Sequence, residues 1–145
     1  MKLSTQVFIT SLKVHQEIYE KSHGLLGHRL LLMPTLLLRT TGRKSGLTRT
    51  NALVYGRDGD RYLVCGSNGG DHLPPAWALN MEANPDVEIQ VGIKKMKARA
   101  ATLRPGDHDY ERLFAICNKA NRGQFAVYAR KTTRPLPVFV ITPAA

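Results

Sequence analysis

Leu36-Leu37-Leu38-Arg39-Thr40-Thr41-Gly42-Arg43-Lys44-Ser45-Gly46-Leu47-Thr48-Arg49-Thr50-Asn51-Ala52-Leu53-Val54-Tyr55 is the stretch from which the fold is read. Two apolar, β-favouring runs, Leu36 to Leu38 and Ala52 to Tyr55, flank the ten residues Thr40 to Arg49. That is the pattern of two strands joined by a turn. Inside the turn, Gly42 and Gly46 bracket Arg43, Lys44 and Ser45, with Arg39 and Arg49 at its edges. Glycine permits positive φ and close approach of the backbone to a ligand. Arginine offers a planar fork and lysine a point charge to phosphate or carboxylate oxygens, so the turn suits a polyanion. The plainer reading is a basic hairpin tip in a basic protein. A Walker P-loop is excluded, because Gly-Lys-Ser/Thr does not follow an earlier glycine at the required spacing.

Outward from this hairpin, strand patterns follow at Thr35 to Thr41, Thr50 to Arg57 and Arg61 to Gly66, with Asp58-Gly59 as a tight turn between the last two. A loop, Ser67 to Pro75, leads to a short helix from Ala76 to Asn84, closed by Pro85. Val87, Ile89 and Val91 alternate with polar residues. Across a Gly92-Ile93 turn, Met96, Ala98 and Ala100 alternate with Lys95, Lys97 and Arg99, which predicts a hairpin with one buried and one basic face. Asp107 is placed to cap a helix to about Ala120 that carries Tyr110, Leu113, Phe114 and Cys117. A second helix, about Gln124 to Lys131, precedes a last strand, Val138 to Thr142. Upstream, Val7, Phe8, Leu12, Val14, Ile18 and Tyr19 make one face of a helix over about 5–21, and Pro34 ends anything helical. About six strands in hairpins with helices between them predict a mainly β protein, a small barrel dressed by helices. The expected organisation is an N-terminal helical segment, 1–34, and a barrel domain, 35–145.

With 145 residues, 43% apolar and 22% charged, the chain is long enough for one domain with a substantial core. Twenty-one basic against eleven acidic residues give a net charge of +10, which favours an anionic partner: nucleic acid, a membrane surface or an anionic small molecule. Cys65 and Cys117 are far apart, lack metal spacing and read as reduced core residues of a cytoplasmic protein. Neither a signal-like segment nor a membrane-spanning run is present. The apolar face of the first helix docks on the domain in one reading. In a second reading, Val7 to Met33 makes peripheral contact with the inner face of a membrane, aided by Lys13, Lys21, His28 and Arg29.

The five histidines show no ligand spacing, which argues against a metal site. Ser45 and Ser67 lack a nucleophile setting, which argues against a hydrolase. A basic turn, a glycine-rich loop and one tryptophan instead suit a flat anionic cofactor that brings its own reactivity. Tyr62 and Tyr128 are the aromatic candidates for stacking on nucleic acid, but no ribonucleoprotein or cold-shock pattern accompanies them.

Taken together, Gly42-Arg43-Lys44-Ser45-Gly46-x-x-Arg49, Asp58-Gly59-Asp60-Arg61-Tyr62, Ser67-Asn68-Gly69-Gly70, Pro75-Ala76-Trp77-x-x-Asn80-x-x-Ala83-Asn84-Pro85 and Tyr128-x-x-x-Thr132-x-Arg134-x-x-Pro137-Val138 resemble the deazaflavin-dependent nitroreductase family. The resemblance spans about Leu36 to Pro143. It implies a split β-barrel related to flavin-binding oxidoreductases, and a closed antiparallel barrel, by removing sheet edges, suits a monomer or homodimer. It also implies an enzyme that uses coenzyme F420, a deazaflavin with a phospholactyl-polyglutamate tail, to pass hydride to a quinone or nitro acceptor. By the same resemblance, Arg43, Lys44, Ser45 and Arg49 hold the phosphate and tail, and Thr50, Asn51, Ala52, Leu53 and Val54 run along the ring. Cys65, Gly66, Ser67 and Asn68 lie on its other side, and Ala76, Trp77, Ala78, Leu79 and Asn80 form an adjacent helix start. Phe125 covers the cofactor, and Tyr128 is the candidate catalytic hydroxyl. Where the family often carries Pro, Tyr, Lys and Tyr, this sequence has Ala52, Val54, Asn68 and Phe125. Quinones are therefore expected to be better acceptors than nitroimidazoles. The alternatives are an FMN-binding split-barrel oxidoreductase, a non-catalytic cofactor carrier or a basic nucleic-acid module.

Overall fold

The computed structural model describes residues 29–30 and 33–144. The helix expected over about 5–21 lies outside the described residues. The elements run β1 (Arg29–Leu30), β2 (Met33–Thr41), β3 (Thr48–Val54), β4 (Gly56–Asp58), β5 (Arg61–Cys65), a 3-10 turn (Asn68–Gly70), α1 (Ala76–Ala83), β6 (Asp86–Val91), β7 (Lys94–Leu103), α2 (Tyr110–Ala120), α3 (Gln124–Lys131) and β8 (Val138–Pro143). All pairings are antiparallel, in the order β1-β2-β6-β7-β8-β5-β4, with β3 also on β2. The sheet curls into a split barrel. Its two ends, β3 and β4, are consecutive in the chain, and among the described residues no ladder joins β3 to β5.

The central hairpin pairs Thr35 with Val54 through Thr41 with Thr48, so the strands extend further than the apolar runs and the turn narrows to Gly42–Leu47. Gly42 donates its N–H to the Leu47 carbonyl at 2.7 Å, Gly46 donates to the Gly42 carbonyl at 2.8 Å, and Gly46 takes φ +72°, which a side chain resists. The strand expected over Thr50 to Arg57 divides at Tyr55. Up to Val54 the chain pairs with β2, and from Gly56 it pairs with β5. At this corner the Tyr55 N–H donates to the Pro34 carbonyl at 3.1 Å, and a Cβ on Gly56 would lie 2.8 Å from the Ile116 side chain.

Alternation along β5 and β8 serves two cores. Tyr62, Val64, Phe139 and Ile141 face the barrel interior, where they meet Leu36, Leu38, Ile89 and, from α1, Trp77, Ala78 and Met81. Leu63, Cys65, Val138 and Val140 face the other way and are covered by Tyr110, Leu113 and Cys117 of α2 and Phe125 of α3. Burial on both faces is why these strands read as unbroken apolar runs. The exposed Lys95, Lys97 and Arg99 of β7 keep the expected basic face. Asp107 does not cap α2. Its carboxylate accepts the Arg104 N–H at 2.8 Å, closing the turn before the helix, and Asp109 occupies the cap position with its carboxylate on Arg112 at 3.2 Å rather than on a helix N–H. Arg112 ties α2 to the β4–β5 turn by donating to Asp58 at 2.9 Å. That guanidinium, with Arg61 second, holds the Asp58 carboxyl down at about 2.

Candidate functional site

The turn between β2 and β3 faces the start of α1 across an open cleft of about 610 Å³. Arg43, Lys44, Ser45, Arg49, Thr50, Asn51, Ala76, Trp77 and Asn80 line it with Gly42 and Thr48, and no acidic side chain is among them. Among the described residues Arg43, Lys44 and Arg49 enter no ion pair. Three uncompensated cations in one concavity focus positive potential on whatever enters it. The first N–H groups of α1 add to that field, since Pro75 precedes the helix and supplies no side-chain cap. Asn80 works behind this surface. Its buried carboxamide oxygen accepts both the Arg43 backbone N–H at 3.1 Å and the Arg43 guanidinium at 2.9 Å, which fixes the turn on α1. Ser45 also serves the turn, its hydroxyl accepting the Leu47 N–H at 3.2 Å.

Trp77, the single tryptophan of the sequence, forms one wall of this cleft and also of a narrower slot of about 80 Å³ beyond it. The indole is held edge-on against Phe139, ring centres 5.7 Å apart. Ala52, Leu53 and Val54 of β3 line the slot on one side, and Cys65, Ser67, Asn68 and Gly69 continue from β5, with Pro75, Asn121 and Phe125 completing it. It is the split of the barrel, lying where β3 and β5 part. None of its residues is charged at neutral pH, because burial pushes the Cys65 thiol well up from its usual range.

The loop that walls the slot is clamped from behind. Arg134 donates to the carbonyls of Gly66 at 3.0 Å, Ser67 at 2.9 Å and Asp71 at 3.2 Å. Gly70 lies so close to α3 that a Cβ there would meet the Tyr128 carbonyl oxygen at 2.9 Å, and it takes φ +81°. Four of the residues singled out in the sequence line neither space. Gly66 packs against Pro137, Ala78 faces the barrel interior, Leu79 lies on α1 beside Asn80, and Tyr128 stands behind Phe125, ring centres 6.2 Å apart. Burial raises the Tyr128 hydroxyl above its ordinary value, so it stays protonated at neutral pH. Sequence reasoning missed Asn121 and the role of Arg134. Arg134 lay inside a quoted motif, but Asn121 carried no local signal beyond its place before the helix-ending Arg122-Gly123.

A split barrel whose cationic cleft and uncharged slot share Trp77 is suited to a flat ring with an anionic tail, as in cofactor-dependent oxidoreductases. The sequence model of the F420H(2)-dependent quinone reductase family matches residues 11–143. An F420H(2)-dependent quinone reductase of Mycobacterium tuberculosis is 45% identical over 141 residues, which cover 97% of this chain and 95% of that protein. Among solved structures, an F420-H2 dependent reductase (FDR-A) superposes with TM-score 0.65 at 32% identity, covering 74% of this chain and 93% of the other. One described as a domain-swapped dimer reaches TM-score 0.70 at 30% identity, covering 91% and 97%. The chain belongs to the F420H(2)-dependent quinone reductase family. It is an oxidoreductase with coenzyme F420 as its cofactor, which decides against FMN, a non-catalytic carrier and a nucleic-acid module. The chemistry of the lining fits that cofactor: unpaired cations suit an anionic tail and an uncharged slot suits a flat ring.

Proposed function

We propose that this chain holds reduced F420 along β3, with Lys44, Arg49 and Arg43 on the anionic tail and the ring in the slot between Ala52–Val54 and Cys65–Asn68. The coenzyme supplies a hydride for the quinone. The chain's own groups position and shelter the reactants: Trp77 and Phe125 supply flat walls, Asn80 fixes Arg43, and the Arg134-clamped loop keeps the slot narrow and excludes water. The observation that carries this reading is the change of lining at Trp77 from three unpaired cations to no charge at all. With Tyr128 behind Phe125, the proton that completes the hydroquinone comes from solvent. Tyr128→Phe should therefore lower quinone turnover by less than about tenfold, short of what a positioned general acid contributes. Nitroimidazole reduction should be slow, because neither Val54 nor Phe125 donates a hydrogen bond to a developing nitro anion. Steady-state oxidation of reduced F420 by a soluble menaquinone analogue tests the assignment, and absence of turnover would overturn it. Efficient nitroimidazole turnover would overturn the acceptor preference.

Two finer points belong to the same proposal. The domain-swapped relative supports a homodimer, which light scattering of the purified protein tests. Among the described residues no helix is long and apolar enough to cross a membrane. Cytoplasmic placement is supported by the two buried free thiols, and peripheral contact through Val7 to Met33 by the cations among its apolar residues. Deleting residues 1 to about 20 should abolish sedimentation with anionic vesicles while leaving coenzyme binding intact.

A further inference from the structure

Two polar side chains that line the slot, Ser67 on the loop clamped by Arg134 and Asn121 opposite it, enter no side-chain hydrogen bond among the described residues. Asn121, just past the C-terminal end of α2, is 2% exposed and lines the slot beside Phe125. Its backbone N–H donates to the Cys117 carbonyl at 3.1 Å, but among the described residues its carboxamide enters no hydrogen bond. The nearby amides are engaged: buried Asn80 with Arg43, and half-buried Asn118 with the Ala126 N–H at 2.9 Å. Among the described residues the fully buried polar side-chain atoms without a partner are Arg39 Nη1 and Arg134 Nε, so the Asn121 carboxamide is not sealed in the protein, and its polar atoms keep their accessible surface at the slot that the residue lines. A ligand that enters the slot can take the place of water as its partner.

The order of residues along β3 indicates which ligand. Arg49 and Thr50 line the cationic cleft, and Ala52, Leu53 and Val54 line the slot, so a molecule anchored by its tail at Arg49 runs along this strand. The strand carries its one ladder on the side of β2, and its other edge turns to the split. On the function proposed above, the ring of the coenzyme lies along that wall. Asn121 and Phe125 come from the separate α2–α3 region, leaving the amide for the second flat molecule. A quinone carbonyl accepts an N–H, which the carboxamide can supply.

We infer that the Asn121 carboxamide donates a hydrogen bond to a carbonyl oxygen of the quinone, orients it over the slot and stabilises the charge that oxygen gains. The inference rests on the function proposed above. In the reaction the quinone gains a hydride, two electrons and one proton, becoming the hydroquinone anion, while reduced F420 is left oxidised and releases a proton. Uptake of one proton from water completes the hydroquinone. The amide gives up no proton, so its hydrogen bond acts at every pH and strengthens as the anion forms.

Asn121→Leu and Asn121→Asp test this, one removing both polar atoms and the other only the N–H. Quenching of Trp77 fluorescence gives F420 affinity, and a soluble menaquinone analogue titrated into the complex with oxidised F420 gives acceptor affinity without turnover. Expected are F420 affinity within about twofold of the unmutated protein, quinone affinity about tenfold weaker, and kcat/KM with reduced F420 down by about 10- to 100-fold. Naphthalene, which has no carbonyl, should bind both variants as it binds the unmutated protein. Unchanged quinone affinity and kcat/KM in a variant that binds F420 normally would overturn the inference, as would weaker F420 binding with quinone unaffected. Failure of the unmutated protein to bind F420 would instead remove the function on which the inference rests.

Discussion

The cationic and the uncharged ends of the cleft meet at Trp77 but are held by different kinds of structure. The cationic end sits on an exposed six-residue turn, fixed by its own backbone bonds and by Asn80. The uncharged end is walled by strands whose other faces are core, and by a loop clamped by Arg134 and pressed on α3. Charge is cheap to hold where water still reaches it, and expensive to bury. A tail-binding site can therefore be built on a surface hairpin, whereas a site that excludes water from a reacting ring needs the core behind it.

The joint between the two ends gives the largest expected effect. Trp77 belongs to the barrel core as well as to both spaces. Trp77→Ala should cost about 3–5 kcal/mol of stability in denaturant unfolding, the range for deleting a large core aromatic. A loss under about 1 kcal/mol would show that the two ends are not joined through the core. Arg134 acts on the uncharged end alone. Arg134→Met leaves three carbonyls without their donor and should cost about 1.5–3 kcal/mol of stability. It should also weaken coenzyme binding equally at low and high salt, because the loop it holds carries no charge into the slot. A salt-dependent loss would place Arg134 with the cations instead.

The smallest effect concerns acid. Arg112 and Arg61 depress the folded Asp58 carboxyl to about 2, below its ordinary value. The stability this contributes is complete above that ordinary value and is lost as pH falls from about 4 toward 2. Arg112 lowers Asp109 in the same direction. Asp58→Asn should therefore flatten the decline of Tm over that window and lower Tm slightly at pH 7, since these are surface groups screened by solvent. Because Asp58 anchors α2, and with it the Asn121 side of the slot, the acid loss should appear in the uncharged end first.

The hairpin was legible because its apolar runs, glycines and cations are local in sequence, and β5 and β8 because burial on two faces leaves an unbroken apolar run. The corner at Tyr55 was not, since nothing in Val54-Tyr55-Gly56 records that the ladder partner changes from β2 to β5. Asp107 looked like a cap because its residue type suits either a helix start or the turn before one, and only the position of Arg104 decides. The cationic lining was legible as a motif. Asn121 was not, because its place on the slot wall is a property of how α2 packs on the barrel, which no spacing encodes.

The contrast between the two ends is tested most directly by following Trp77 fluorescence during titration with F420 and with the same deazaflavin lacking its anionic tail, each at low and high salt. The tailed coenzyme should bind more tightly, and its affinity should fall steeply as salt rises, whereas the tailless ring should bind weakly and independently of salt. Lys44→Ala should weaken only the tailed coenzyme, by about 1–3 kcal/mol, and flatten its salt dependence. Equal affinity of the two ligands, or an equal salt dependence, would contradict the division of the cleft at Trp77.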